Sequence, residues 1–416
     1  MTHPTHNRLL IILILGSLST LSPFAIDMYL PAFPEVAAAF QTSTAKVSLS
    51  VSSYFAGLAA GELIYGPLLD RFGRKLPMYA GLVLFALASL LCLFVHTVQG
   101  LVAMRFVQAF GGCAAQVAAM AMVRDFFPVR ETAKIISWLI LILGVSPLLA
   151  PTVGSAVASQ WGWRWVFIIL AVVAVLNLTV CWICLPDGHQ PDKSVSLRLL
   201  PILRNYLAVL REPQFTVFAL ASSCALAGLL AYVAGSPVIF MDVFHVSSRE
   251  FGMIFAGLAV GFIGSNQFNV LLLRRFTSAG IFSGALLVGF PVTIVFLIGT
   301  LAGMGLGPTL ALLFIALASI GLTGPNGAAL AISPFARNIG SASAMLGFLQ
   351  IGISGLASSA VGLADSRRVL PIGLVLAGTT GIALVTYGIG RRRIGEMRFV
   401  EEEGATPLEP GRGKAL

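Results

Sequence analysis

Twelve apolar stretches follow one another along the chain, at approximately 9–32, 47–69, 77–96, 99–122, 135–158, 164–185, 214–236, 251–273, 279–303, 307–333, 340–363 and 369–390. Each is about the 20 residues that a helix needs to cross the roughly 30 Å hydrocarbon layer of a bilayer. Lipid offers the backbone no hydrogen-bond partners, so every such stretch must satisfy itself as a helix. Composition agrees: of 416 residues 57% are hydrophobic and 10% charged, where a soluble domain carries about 25% charged residues. The expected fold class is an all-α membrane protein with twelve transmembrane helices. The first stretch is long, contains Asp27 and ends in a Pro-rich segment without an A-x-A-like site, so it reads as structure and not as a signal peptide.

The net charge of +9 does not point to nucleic acid. An even number of spans places both termini on one side. Twenty of the 26 Lys and Arg lie in segments on that side. The opposite side holds Lys46, Arg164, Arg249, Arg367 and Arg368, and Arg105 lies within a span. The excess of Lys and Arg puts both termini in the cytoplasm, and the basic charge is topological. The cysteines, Cys92, Cys113, Cys181, Cys184 and Cys224, all fall in apolar spans. Cys181-x-x-Cys184 has no second pair and no nearby histidine, so packing is expected, with neither a disulfide nor a metal. No phosphate-binding loop is present, so any transport would be secondary or powered by another chain. An intramembrane enzyme would need paired catalytic groups at depth, whereas His3, His6, His96, His189 and His245 lie at or outside span ends.

The polar stretch from Pro186 to Pro213 divides six spans from six. The expected organisation is an N-terminal half (1–186), a cytoplasmic linker (187–213), a C-terminal half (214–390) and a cytoplasmic tail (391–416). The linker's SLRLLPILRNYLAVL reads equally well as an amphipathic helix on the inner leaflet or as a solvated connection. An internal echo supports two halves: Phe55-Ala56-Gly57-Leu58-Ala59 recurs as Phe255-Ala256-Gly257-Leu258-Ala259.

Ionisable residues inside spans are expensive and therefore candidates for function. Asp27 sits near the far end of span 1; a carboxylate in a poorly hydrated site can take up and release a proton, and the alternative is a boundary carboxylate completing a turn before Pro31. Tyr29 and Tyr54 read as belt aromatics or as cavity walls. Glu62 is a proton or substrate group, or a structural acid; Gly57 and Gly61 beside it allow close helix approach. Arg105 must face a cavity or a partner. It shares a helical face with Gln108, Gly112 and Gln116, and the alternative is a structural ion pair. In span 5 Gly144, Pro147, Pro151 and Gly154 recur on one face, which suits close packing and a bend. Span 10 carries Gly324-Pro325-Asn326-Gly327, read as a break that exposes backbone at depth. In span 11 Ser343, Gly347, Gln350, Ser354 and Ser358 form a small, polar stripe for sliding contact or a wet cavity.

Between spans 2 and 3 lies GPLLDRFGRK, residues 66–75. Its Gly66, Leu68, Asp70, Arg71, Gly73, Arg74 and Lys75 resemble the loop between helices 2 and 3 of major facilitator superfamily transporters. RFVQAFGG and GVSPLLAPTVGS resemble patterns of drug/proton antiporters, the latter with Ala150 and Ser155 off the pattern. With SPFAIDMYLPAFP, WGWRWVFIIL and GSASAMLGFLQ, the chain is similar to the Bcr/CflA subfamily of drug-resistance transporters over nearly all of residues 8–390. That resemblance implies a major facilitator fold and efflux of small drug-like molecules in exchange for protons across a bacterial inner membrane. Proton-driven movement of a specific metabolite is the alternative. The drug-resistance resemblance implies Asp27 as the proton-coupling acid with Arg105 as its basic partner; Glu62 is a further candidate from its depth in span 2. From their depth and polarity, Asp27, Tyr29, Tyr54, Arg105, Gln108, Gln116, Asn326 and Gln350 are the expected cavity residues. The gate would comprise Gly66, Asp70, Arg71, Gly73, Arg74, Gly144, Pro147, Pro151 and Gly154, with Asp70 near a helix N-terminus and the bases near C-terminal carbonyls. No cofactor is expected beyond the proton gradient, and the expected partners are a small molecule, protons and membrane lipid, with the chain acting as a monomer.

Overall fold

A computed structural model of the chain describes residues 8–186, 191–192, 199–335, 339–364 and 368–394. Most of the tail and the basic residues Lys193, Arg198, Arg337 and Arg367 lie outside the described residues. The helices are α1 (Arg8–Asp27), α2 (Phe33–Ala39), α3 (Thr44–Phe72), α4 (Lys75–Leu91), α5 (Val98–Phe126), α6 (Val129–Trp161), α7 (Arg164–Cys184), α8 (Leu199–Leu210), α9 (Pro213–Pro237), α10 (Ser248–Leu272), α11 (Ser278–Leu301), α12 (Leu306–Ile332), α13 (Ile339–Leu363) and α14 (Leu370–Ile394). Twelve candidate spans result among the described residues. The end of the bundle where α1 starts and α14 finishes is called proximal below, and the opposite end distal.

The first span is longer than its apolar run. After Asp27 the chain makes a 3-10 turn, Leu30–Ala32, and continues as α2, so that Arg8–Ala39 forms one candidate span. Pro31 and Pro34 explain this, because each falls in a first helical turn, where a missing N–H costs nothing. Asp27 therefore lies inside the span and not at its edge.

Helix starts follow the side chains that can cap them. Ser43, Thr97 and Thr277 accept from the backbone N–H of Lys46, Gly100 and Gly280, and Ser247 forms a reciprocal capping box with Glu250. Many hydroxyls within the spans donate to a carbonyl three or four residues back, as Ser19, Ser48 and Thr380 do.

Helices α1 and α3–α7 pack among themselves, as do α9–α14. The two sets meet along α3 against α13 and α6 against α10. Toward the distal end this seam is close. Ser52 and Ser358 share a hydrogen bond of 2.6 Å, Thr44 donates to Asp242 at 3.2 Å, Gly362 lies on Ser48 and Leu49, and the 3-10 turn after Asp27 contacts α9 and α10. The small, polar stripe of span 11 is thus one side of a helix contact. Span 10 shows no break: α12 runs unbroken through Pro325. Within that helix Asn326 donates back to the Leu322 carbonyl and across to Asn269 at 2.7 Å.

Candidate functional site

A cavity of about 220 Å³ lies between the two sets of helices at mid-span. From the first set it is lined by Asp27, Phe55, Leu58, Glu62, Gln116 and Pro147, and from the second by Tyr232, Phe255, Ala259 and Phe262, among others. The repeated FAGLA segment thus supplies Phe55 and Phe255 to facing walls. Among the described lining residues two are carboxylates and none is cationic.

Asp27 is the last residue of α1 and is 7% exposed. Ser146 of α6 donates to its Oδ2 at 3.3 Å. Gly154 explains why α6 comes so near: a Cβ there would run into the Met28 carbonyl oxygen, so backbone packs on backbone one residue beyond the acid. Gly154→Val is expected to push α6 off this joint. The cost is about 1–3 kcal/mol, typical of overpacking against atoms that cannot rotate away, and is read as a lower denaturation midpoint in detergent. Pro147 lines the cavity, and Gly144 faces Ile263 of α10.

Glu62 reaches the cavity from α3, and its side chain lies over Gly347 of α13, where an added Cβ would come within 2.9 Å of the carboxyl carbon. Gly57 and Gly61 bring α3 against Phe106, Ala109 and Cys113 of α5, which is the close approach their spacing predicts.

Arg105 is fully buried but does not line the cavity. Its guanidinium donates to Gln108 Oε1 at 2.6 Å and to the Ala25 carbonyl at 3.2 Å. It also lies over the rings of Tyr54, Tyr29 and Phe167, with centroids 4.2, 5.0 and 5.8 Å away. Its Nε has no partner, and among the described residues no carboxylate lies within ion-pair distance. Gln108 passes the network on to Ser89 at 2.7 Å, and Ser50 donates to Tyr29 at 3.2 Å. The predicted site residues therefore fall into two groups. Asp27, Glu62 and Gln116 face the cavity, whereas Arg105, Gln108, Tyr29 and Tyr54 form a cage behind it. Asn326 is buried in the contact with Asn269, and Gln350 is not among the cavity-lining residues. Ser146, Tyr232 and Phe262 carried no signal in the sequence, being ordinary members of apolar helices, whereas Phe255 was marked only by the repeat.

In the loop at 66–75 Arg71 lies in the last turn of α3, as the dipole reading has it, but Asp70 and Arg74 do not follow that reading. Asp70 lies in the last turn of α3 and Arg74 at the N-cap of α4, so each charge is on the unfavourable end of its own helix. The reason is direct pairing: Arg74 bonds Asp70 at 2.6 Å and Asp125, at the end of α5, at 2.9 Å. The clamp joins α3, α4 and α5 within the first set. Gly73, at φ +81°, makes the turn between them. Gly66 is unobstructed, and Pro67 follows it within α3.

The Major Facilitator Superfamily profile matches residues 15–359. The MFS-type transporter YdgK of Bacillus subtilis is 30% identical over 94% of this chain and 97% of its own length. A bicyclomycin resistance protein homolog of Haemophilus influenzae is 27% identical over 90% and 94%, and the multidrug transporter MdfA of Yersinia pestis 31% identical over 57% and 59%. The fold is shared with a bacterial homolog of the lysosomal transporter Spinster, at TM-score 0.74 and 16% identity over 95% of this chain and 99% of that one. It is also shared with a D-xylose-proton symporter, at TM-score 0.74 and 15% identity over 92% and 97%. A multi-pass membrane protein of two six-helix sets, this chain belongs to the major facilitator superfamily of transporters.

Proposed function

We propose that this protein exports small amphipathic molecules in exchange for protons across a bacterial inner membrane, both termini cytoplasmic and a single chain sufficing. The observation that carries the reading is the cavity holding Asp27 and Glu62 amid hydrocarbon with no cation among its described lining residues. Two carboxylates in such a place attract protons or a positively charged cargo, and loading one excludes the other. The relatives named for bicyclomycin and multidrug resistance support drug-like cargo.

In this scheme the halves 1–186 and 214–390 rock about the cavity, with 187–213 between them. Asp27 takes the proton in one state and releases it in the other, and the equilibrium moves only because the two states differ in how well they hold that proton. Cargo contacts come from Glu62, Gln116 and the apolar walls. Arg105, with Gln108, Tyr29 and Tyr54, holds the Ala25 carbonyl and so the end of α1 behind Asp27. The distal seam closes this conformer, and opening it requires Ser52–Ser358 and Thr44–Asp242 to part.

The test uses everted membrane vesicles with an imposed pH gradient and a panel of fluorescent cations and matched neutral compounds. Exchange predicts accumulation when the lumen is acid. Loss of lumenal compound under the same gradient, or flux that ignores the gradient, overturns the reading. Glu62→Gln is expected to reduce accumulation of cations about tenfold, the order of one lost charged contact, while that of neutral compounds changes less than twofold. Equal losses for both classes would remove Glu62 from cargo selection.

A further inference from the structure

Helix α8 lies between the two sets and crosses nothing, being 12 residues long. One side is seated on the bundle through buried Tyr206 and Val209, with contacts to α9 and α13. At 100° per residue, Leu203, Leu207 and Leu200 follow next around the helix. They are 53%, 53% and 61% exposed. Arg211 and Arg204, both exposed, come after them. The opposite flank carries Ala208 and Asn205. A solvated connection has no reason to put three leucines on one flank. A helix at the edge of a bilayer does, with the leucines at the acyl boundary and the arginines at the level of the phosphates.

The seat itself has a specific cause. In an α-helix the Leu63 carbonyl would accept from the N–H of residue 67, but residue 67 is Pro67, which has none. Tyr206 supplies the missing donor: its hydroxyl bonds the Leu63 oxygen at 3.0 Å. Leu63 follows Glu62, and Pro67 begins the turns that carry Asp70. The linker also donates from the Asp192 backbone N–H to the Asp70 carbonyl at 3.1 Å. What holds α8 down therefore holds the proximal end of α3.

We infer that α8 is a docking surface for anionic phospholipid, and that through Tyr206 it makes the proximal turns of α3 responsive to the charge of the bilayer. The occupant is lipid because the leucine flank is continuous with a bundle that stands in a membrane and because its border is cationic. A basic residue at an anionic surface gains on the order of 1 kcal/mol, about fivefold, so two arginines shift the equilibrium by more than tenfold.

Hydrogen exchange of the full-length protein in nanodiscs tests this without a transport assay, so its outcome does not depend on the proposed cargo or coupling. The comparison is between phosphatidylcholine and an equal mixture of phosphatidylcholine with phosphatidylglycerol. Residues 199–210 and 64–72 are expected to exchange at least tenfold more slowly in the anionic mixture. Arg204→Gln with Arg211→Gln should abolish that difference and leave the rate in phosphatidylcholine unchanged. Tyr206→Phe should keep the response of 199–210 and lose that of 64–72. Equal exchange in both lipids, or protection that appears only when two copies share a disc, overturns lipid docking. A response of 64–72 that survives Tyr206→Phe overturns the link through Tyr206.

Discussion

Asp27→Asn is expected to reduce gradient-driven export to background while the protein remains folded and extractable. Asparagine keeps the size of the side chain and still accepts from Ser146, which donates to Asp27 at 3.3 Å, so the joint between α1 and α6 has no reason to move. What disappears is the exchangeable proton. Counterflow, in which labelled compound exchanges against unlabelled compound without a gradient, should persist within a few-fold of the wild type, because it needs the cavity and the rocking motion but no net proton transfer. An asparagine variant that still accumulates compound against a gradient would show that the proton is carried elsewhere, with Glu62 the first place to look.

Arg105→Met separates two accounts of a buried cation. A guanidinium without water is costly wherever no carboxylate offsets it, and here the described surroundings offer a glutamine, one carbonyl and three aromatic rings. Three cation–π contacts of about 2 kcal/mol each when desolvated, with the two hydrogen bonds, roughly offset a desolvation penalty of several kcal/mol, so the charge contributes little net stability. Replacement by an apolar side chain of similar length is therefore expected to leave thermal stability within about 1 kcal/mol of the wild type, or to raise it, and to abolish export. Arg105→Lys should fail as well, since an ammonium cannot bond Gln108 and Ala25 while lying flat on Tyr54. A denaturation midpoint that collapses in Arg105→Met would make the residue structural.

The architecture was legible because lipid leaves a chain few options. A backbone that cannot bond to solvent must form helices of a set length, so the spans stand out from composition alone, and only details such as the continuation of span 1 through Pro31 and Pro34 escaped. Asp27, Glu62 and Arg105 were legible for the related reason that charge at depth is too costly to occur without a partner or a task. What helical spacing could not give was the relation between helices. It placed Arg105, Gln108 and Gln116 on one face, yet Gln116 faces the cavity while the other two turn into the cage. Gln350 belongs to a polar stripe that suits a wet cavity or a sliding contact, and Asn326 to a Gly-Pro-Asn-Gly segment that reads as a break. The pairing of Asn326 with Asn269 is a helix contact that no single-helix pattern reveals. Tyr232 and Phe262 were invisible because phenylalanine and tyrosine in an apolar run look the same whether they face lipid, a neighbour or a void.

The short turn Leu30–Ala32 starts three residues after Asp27 and touches α6 on one side and α9 and α10 on the other. It is a pin set across the parting line of the molecule. The far mouth cannot gape unless this pin is withdrawn from α9 and α10, and the carboxylate rides on the same short piece of chain. In the proposed exchange, access of water from that side and a changed setting for the acid would be one mechanical event, so the carrier would need no separate sensor to know which face it has turned.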